Sequence, residues 1–262
     1  MQPGDSKSRA GDGGAASPVD LSLVIACYNE EPHLEDNVRQ ILAVLDQCRF
    51  VSELIFIDDA SSDRTRDIIR KLVNGGERRR AVFHEQNVGR GGTVAEGLRM
   101  AQGTVAGFID VDLEVHCRYI PSMVDAVLRE GYDVATALRV YKINLTPSGI
   151  LRWVLSVGYR AIAGVALGHP FKDTETGFKF FRRQAILPVL DRCRDEHWFW
   201  DTEVMVESHR AGLRTIEIPS LFLRQPGQTS SLRVIPDTLG YLRALASYRQ
   251  QLRKRAAGRS DG

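Results

Sequence analysis

The chain alternates short, almost continuous apolar runs with longer stretches whose apolar residues recur at helical spacing. The first four runs are LSLVIAC, ELIFIDDAS, RAVFHEQN and TVAGFIDVD. A nearly continuous apolar run is typical of a strand that is buried on both faces of a sheet. Strands that alternate with helices at this spacing predict an α/β fold, with a mostly parallel central sheet and helices on both faces.

The composition is that of one large globular domain with short terminal extensions. The chain has 262 residues, 43% of them hydrophobic, and a net charge of +2, so a nucleic-acid partner is not expected. We predict a disordered lead at 1–18, one domain at 19–235, and a basic amphipathic helix and tail at 236–262. The four cysteines form no CxxC pair, and no apolar stretch reaches the roughly 18 residues of a membrane span. These features predict a cytoplasmic protein that is soluble or peripheral.

Polar residues follow the apolar runs at the point where each predicted strand ends. They are Tyr28-Asn29-Glu30, Asp58-Asp59, the stretch from Asn87 onward, and Asp110-Val111-Asp112. In parallel sheets covered by helices, ligands bind beyond the carboxyl ends of the strands. The sequence therefore predicts a ligand site along this edge of the sheet.

The acids after the fourth run, in FIDVDLEVH, indicate a bound cation. Asp110, Asp112 and Glu114 occupy alternate positions, and side chains two apart on an extended chain point to the same side. Carboxylates that converge repel one another and raise one another's pKa unless a positive charge lies between them. We therefore predict a cation at these acids; the alternative is a solvated acidic turn.

Several segments, taken in order, resemble a known enzyme family. VIACYNEE, IDDASSDRT, NVGRGGTVAEGL and DVDLE are similar to motifs of family 2 glycosyltransferases, which have the GT-A fold. DTETGFKFFRR, FWDTEVMVESHRAGLRTIEIP and LRQPGQTSSLR resemble the polyprenyl-phosphate branch of that family, which includes dolichol-phosphate mannosyltransferase. The resemblance covers residues 20–235 and implies a metal-dependent hexosyltransferase.

The resemblance implies a nucleotide-diphosphate sugar of the GDP-mannose or UDP-glucose type as donor. An acid at Asp58 or Asp59 would hydrogen-bond the nucleobase, although one of the pair could instead cap a helix. Asp110, Asp112 and Glu114 would bind Mg²⁺ or Mn²⁺, because these ions prefer oxygen ligands and neutralise a departing diphosphate. The residues that the resemblance places around the donor are Ala26, Tyr28, Glu30, Asp58, Asp59, Arg90, Asp110 and Val111.

The acceptor that the resemblance implies is a polyprenyl (dolichyl or undecaprenyl) phosphate. A phosphate monoester is already largely ionised at neutral pH, so it needs cationic side chains more than a general base. Arg139 and Arg224 match family arginines that contact phosphate, and bidentate contacts would align the phosphate for in-line attack on the anomeric carbon. The product would have inverted configuration, and the predicted catalytic residues are Asp112, Asp173, Arg139 and Arg224.

Three further acids are assigned by position. Asp173 matches a residue that the family uses near the acceptor or the sugar, and its alternative role is to cap the TGF turn. Glu203 would order the site or touch the metal, and Asp201 could take its place. If the acceptor is instead a hydroxyl compound, Asp173 or Glu203 would act as the general base.

Two segments are candidates for contact with the cytoplasmic face of a membrane. Residues 150–168 are apolar with interspersed arginines and aromatics, which suits an interfacial helix, a core helix pair or the surface of a homodimer. The basic C-terminal helix would bind an anionic membrane surface or remain solvated. A non-catalytic nucleotide-binding scaffold is a further alternative, but a scaffold has no need for the repelling pair Asp110 and Asp112.

Overall fold

A computed structural model describes residues 19–141, 164, 167–223 and 234–257. In the first described range, strands and helices alternate as the apolar runs predict. The elements are β1 (Leu21–Cys27), α1 (Leu34–Leu45), β2 (Ser52–Asp58), α2 (Thr65–Asn74), β3 (Arg79–Phe83), α3 (Arg90–Met100), β4 (Val105–Ile109), a 3₁₀ turn (Cys117–Tyr119), α4 (Ile120–Leu128) and β5 (Val134–Tyr141).

The later ranges complete the sheet and add further helices. They contain β6 (Phe178–Arg182), α5 (Arg183–Leu190), α6 (Trp200–Arg210), β7 (Thr215–Phe222) and α7 (Val234–Ala257). The seven strands lie in the order β3-β2-β1-β4-β6-β5-β7. Strand β6 runs antiparallel to both of its neighbours, and the other pairs are parallel. The prediction of a mostly parallel sheet is confirmed.

Helices cover both faces of the sheet, as predicted. On one face, buried apolar residues of α1, α2 and α4 pack against the strands; they include Val38, Ile69 and Met123. On the other face, α3, α5 and α6 provide a second cluster, which includes Leu98 and Val204. Burial on both faces explains why the strand sequences are almost continuously apolar, since every side chain along them leaves water.

The parallel register brings the ends of β1, β2 and β4 to one side, which we call the carboxyl edge. Cys27 at the end of β1 pairs with Asp58 at the end of β2, and β4 lies on the other side of β1. Because β6 is antiparallel, its first residues, rather than its last, lie at this edge, and Ile109 pairs with Phe178. The carboxyl edge therefore collects side chains from segments that are far apart in the sequence.

The C-terminal helix α7 packs against α6 through its apolar side chains. Leu245, Tyr248 and Leu252 are buried in a small cluster with Phe199 and Val206. Among the described side chains of α7, the basic residues Arg243, Arg249, Arg253 and Lys254 are exposed. None of the helices in the described ranges is long and apolar enough to cross a membrane. Of the segment 150–168, only residues 164, 167 and 168 are described, so its predicted contacts stay predictions.

Candidate active site

The chain turns sharply after β4, so the three alternate acids do not continue one extended strand. The backbone N–H of Asp110 donates to the carbonyl of Gly177 at 2.8 Å, and Leu113 has a positive φ of 54°. Asp112 accepts a hydrogen bond from the backbone N–H of Glu114 at 3.1 Å. A Cβ atom at Gly177 would lie 1.8 Å from Asp110 Oδ2, so only glycine leaves room for this carboxylate.

A third carboxylate, that of Glu30, joins Asp110 and Asp112 from the loop after β1. Burial and the charges of Asp112 and Asp110 raise the pKa of Glu30 to about 7. Burial and the charge of Asp110 likewise raise the pKa of Asp112 to about 7. Acids that raise one another's pKa are held close together without enough positive charge to compensate them.

The oxygen chemistry of these acids suits Mg²⁺ or Mn²⁺, which take carboxylate ligands. Within the described ranges, however, no three His, Cys, Asp or Glu side chains are arranged to hold a metal ion by themselves. The predicted ligands Asp110, Asp112 and Glu114 do not form a complete metal site there, and metal binding by them stays a prediction.

Arg90, the first residue of α3, lies against the acids of the carboxyl edge. Its Nε and Nη2 donate to Asp110 Oδ1 at 3.1 and 2.5 Å, and its Nη1 donates to Asp201. The guanidinium also lies over the rings of Phe108 and Trp198, at 5.6 and 5.4 Å from their centroids. In this structure Arg90 therefore neutralises Asp110, whereas its predicted contact with the base or the diphosphate stays a prediction.

Behind Arg90, Asp201 is held by a fully buried lysine. Lys179 Nζ donates to Asp201 Oδ1 at 2.6 Å and also to the carbonyl of Thr176. Lys179 is 0% exposed and Asp201 is 2% exposed. We did not predict Lys179, but a lysine inside the apolar strand FKFFR is itself a signal, because a buried charge needs a partner. Asp201 lies in the first turn of α6, and its predicted role as a substitute for Glu203 stays a prediction.

The two acids at the end of β2 are buried and bonded within the chain. Asp59 accepts from the backbone N–H groups of Val88 and Gly89 at 2.8 and 2.9 Å, which fixes the loop that leads into α3. Asp58 forms an ion pair with Arg66 at 2.6 Å, while its Oδ1 has no partner. With Asp59 3% exposed and Asp58 0% exposed, a base contact for either one stays a prediction.

The other residues predicted around the nucleotide differ in exposure. Tyr28 is 50% exposed beside Glu30, and Ala26 is partly buried near the end of β1. Val111 is buried, and its carbonyl accepts from the Asn37 side chain at 2.8 Å. Tyr28 is thus an open surface at the carboxyl edge on which a planar ring could stack.

Arg139 and Asp173 form a buried bidentate ion pair. Arg139 Nε and Nη2 donate to the two carboxylate oxygens of Asp173 at 2.7 and 2.8 Å. Glu175 lies 3.5 Å from the same guanidinium, which also lies over the ring of Phe222. Burial alone would raise the pKa of Asp173, but its hydrogen bonds to Arg139 and the charge of Arg139 hold it below its usual range.

The remaining predicted residues do not join these clusters. Glu203 is buried in α6 and accepts from the backbone N–H groups of Arg194 and Asp195, both at 2.8 Å. It therefore orders the loop before α6, and its predicted contact with the metal stays a prediction. Arg224 lies outside the described residues, so its phosphate contact stays a prediction.

Comparison with protein families gives a match over more than half of the chain. The model of the family described as Glycosyl transferase family 2 matches residues 22–188. Glycosyltransferase AglD of Haloferax volcanii is 30% identical over 227 residues, which are 86% of this chain and 36% of the archaeal protein. The dolichyl-phosphate beta-glucosyltransferase of Saccharomyces cerevisiae is 26% identical over 239 residues, which are 82% of this chain and 70% of the yeast protein. The chain thus spans about a third of the archaeal relative's length.

Solved structures with the same architecture include glucosyl-3-phosphoglycerate synthase of Mycobacterium tuberculosis. Its complex with Mn²⁺, UDP-glucose and phosphoglyceric acid superposes with a TM-score of 0.64 and 20% identity, covering 90% of this chain and 81% of that one. Its complex with Mg²⁺ and UDP has a TM-score of 0.62 and 21% identity, covering 89% and 80% of the two chains. At this level of identity the similarity concerns the fold.

Proposed function

Because the chain belongs to glycosyl transferase family 2, we propose that it transfers a hexose from a nucleotide-diphosphate sugar to a polyprenyl phosphate. The observation that carries the proposal is the group of carboxylates Glu30, Asp110 and Asp112 at the carboxyl edge, where a parallel sheet binds its ligands. Relatives named as dolichyl-phosphate beta-glucosyltransferases support this choice of acceptor.

The donor's diphosphate would bind at these acids through Mg²⁺ or Mn²⁺. Asp110 and Asp112 would hold the ion with oxygens of the diphosphate as further ligands, and Glu114 is a candidate third side chain. When bound, the ion supplies positive charge for the departing diphosphate. Tyr28 would stack on the nucleobase, and Arg90 would add a guanidinium near the phosphates.

The state of Asp173 favours a phosphate acceptor over a hydroxyl acceptor. A general base for a hydroxyl needs a free carboxylate whose pKa lies near the working pH. Asp173 is fully buried, bonded to Arg139, and has a lowered pKa. Glu203 is buried and bonded to two backbone N–H groups. We place the acceptor phosphate near Arg139 and the Arg224 segment, from which it would attack the anomeric carbon with inversion.

We also propose that α7 holds the enzyme at an anionic membrane surface, on the cytoplasmic side. Among the described side chains of α7, Leu245, Tyr248 and Leu252 pack against α6, whereas Arg243, Arg249 and Arg253 are exposed. Basic residues near an anionic surface each contribute about 1 kcal/mol to binding. A variant with Arg243, Arg249 and Arg253 replaced by glutamine should lose flotation with anionic vesicles; unchanged flotation would exclude this surface.

The transfer is tested by following radiolabel from a panel of GDP- and UDP-sugars into an organic-extractable lipid. The reaction contains dolichyl or undecaprenyl phosphate, with Mg²⁺, with Mn²⁺, or with EDTA. Asp112→Asn is the inactive variant, and Asp67→Asn on exposed α2 is the matched control, since it also removes one carboxylate. We expect metal-dependent lipid labelling in the wild type and in Asp67→Asn, and no labelling in Asp112→Asn.

Two results would contradict the proposal in different ways. Donor binding or hydrolysis without lipid labelling would retain the family and move the acceptor to another compound. Equal labelling by wild type and Asp112→Asn would show that the acids of the carboxyl edge do not carry the reaction.

A further inference from the structure

Arg90 connects two acids that belong to different parts of the fold. One side of its guanidinium, Nε and Nη2, bonds a single oxygen of Asp110, and Nη1 bonds Asp201. Asp110 follows β4, while Asp201 lies in the first turn of α6. The side chain of Asp110 is 42% exposed and that of Asp201 is 2% exposed, so Arg90 has one accessible and one buried partner.

The buried half of this contact is fixed by several neighbours. Asp201 is held from the other side by Lys179, which makes an alternating row of charges: Asp110, Arg90, Asp201, Lys179. The loop before Arg90 is tied to Asp59 through two backbone hydrogen bonds. An arginine with these supports can lose its contact with Asp110 and still keep its place, because the Asp201 contact remains.

The contact between Arg90 and Asp110 is incompatible with a divalent cation on the same carboxylate oxygen, Oδ1. Both N–H groups that Arg90 directs at Asp110 end on Oδ1. A divalent ion bound to that oxygen would lie within a few ångströms of a guanidinium that cannot lose its proton. Two positive groups at such a distance repel strongly where water is partly excluded. Arg90 and a divalent ion therefore compete for Oδ1 of Asp110.

We propose that Arg90 is a built-in counter-charge for Asp110, which a divalent cation displaces when it binds. In the metal-free protein Arg90 balances part of the negative charge of the carboxyl edge. On displacement it would keep its bond to Asp201, and its Nε and Nη2 would be free to donate to another anionic group. Arg90 thus acts through Asp110, and it lowers the affinity of the protein for a divalent ion that arrives without other ligands. This inference deepens the proposed function, on which it depends for metal binding at Asp110.

The experiment measures Mn²⁺ binding alone, without nucleotide or acceptor, by calorimetry and by the loss of the free Mn²⁺ EPR signal. Arg90→Met should bind Mn²⁺ about tenfold more tightly than wild type at low salt, because a neighbouring positive charge is gone. The matched control is Arg99→Met, which removes an exposed arginine from the same helix and should leave the affinity unchanged. Adding Asp110→Asn to Arg90→Met should abolish the gain.

The inference predicts that Arg90→Met raises the affinity for Mn²⁺, whereas simple damage to the site would lower it. Should Arg90→Met fail to fold, Arg90→Lys serves instead, since one ammonium cannot span both acids; a smaller gain of the same sign is expected. Binding that is unchanged or weaker in a folded variant overturns the inference and leaves the proposed transferase standing. No Mn²⁺ binding by any variant, even with GDP or UDP added, overturns both.

Discussion

Replacing Asp173 with asparagine should lower the free energy of unfolding by about 3 kcal/mol. Asp173 is 0% exposed and accepts three hydrogen bonds from Arg139: two from the guanidinium and one from the backbone N–H at 3.2 Å. Breaking a buried ion pair by removing one partner costs about 3–5 kcal/mol, because the other charge stays buried. Glu175, 3.5 Å from the guanidinium, offsets part of this, so we take the lower end of the range.

The assay is urea unfolding at pH 7.5, followed by tryptophan fluorescence. Glu175→Gln is the matched control from the same loop, and it should change stability by less than about 1 kcal/mol because its contact with Arg139 is long and partly exposed. Arg139→Met combined with Asp173→Leu should recover part of the loss, since it removes both charges together. A loss below about 1 kcal/mol in Asp173→Asn, with transfer abolished, would refute the structural role and favour a general base.

The ion pair of Asp173 and Arg139 also predicts how the free energy of unfolding depends on pH. Burial raises the pKa of Asp173, but Arg139 outweighs it and the net pKa is lowered. A depressed folded-state pKa stabilises the protein above the unfolded value of about 4, and this contribution is lost as pH falls through the folded-state pKa. The stability difference between wild type and Asp173→Asn should thus be full at pH 7 and shrink progressively as the pH falls below about 4.

Three further outcomes follow from the described geometry. Gly177→Ala should displace the carboxylate of Asp110, because the new Cβ would lie 1.8 Å from its Oδ2, and Mn²⁺ titration should show at least about tenfold weaker binding. Since the pKa values of Glu30 and Asp112 are raised to about 7, protons should compete with metal, and Mn²⁺ affinity measured at pH 8, 7 and 6 should fall steadily. Tyr241→Phe removes a 2.5 Å hydrogen bond between α7 and α6 and should cost about 1 kcal/mol in thermal unfolding, whereas a gain in stability would contradict that contact.

The sequence was sufficient to predict the sheet and the edge along which the candidate site residues lie. The first four predicted strands are followed by polar residues, and parallel strands in register bring their ends together, so Glu30, Asp58 and Asp110 could be placed at one edge from the sequence. The alternation of strand and helix also predicted coverage of both faces. These inferences use only local patterns, which is why they needed no knowledge of long-range pairing.

The partners of the charged side chains could not be predicted in the same way. Arg90 and Asp201 are 111 positions apart, and their contact depends on where β6 and α6 lie in the sheet. Arg139 was predicted to hold phosphate and Asp173 to lie near the substrates, but nothing in their spacing indicated that they bond each other. The packing of the helices and strands decides which oppositely charged side chain a buried group contacts. The local sequence does not, since several acids satisfy the same pattern.

The segment that carries the acids after β4 is attached at both ends. At its start the backbone N–H of Asp110 bonds the carbonyl of Gly177, and at its end Val115 pairs with Phe222 while the carbonyl of Glu114 accepts from Leu223. One end is therefore fixed to the residue before β6 and the other to the last residues of β7. The length of this segment is consequently constrained: inserting a single residue would break one attachment or shift the pairing with β7 by one position. Evolution or design can change which side chains the segment carries, but not its length without the loss of one of these attachments.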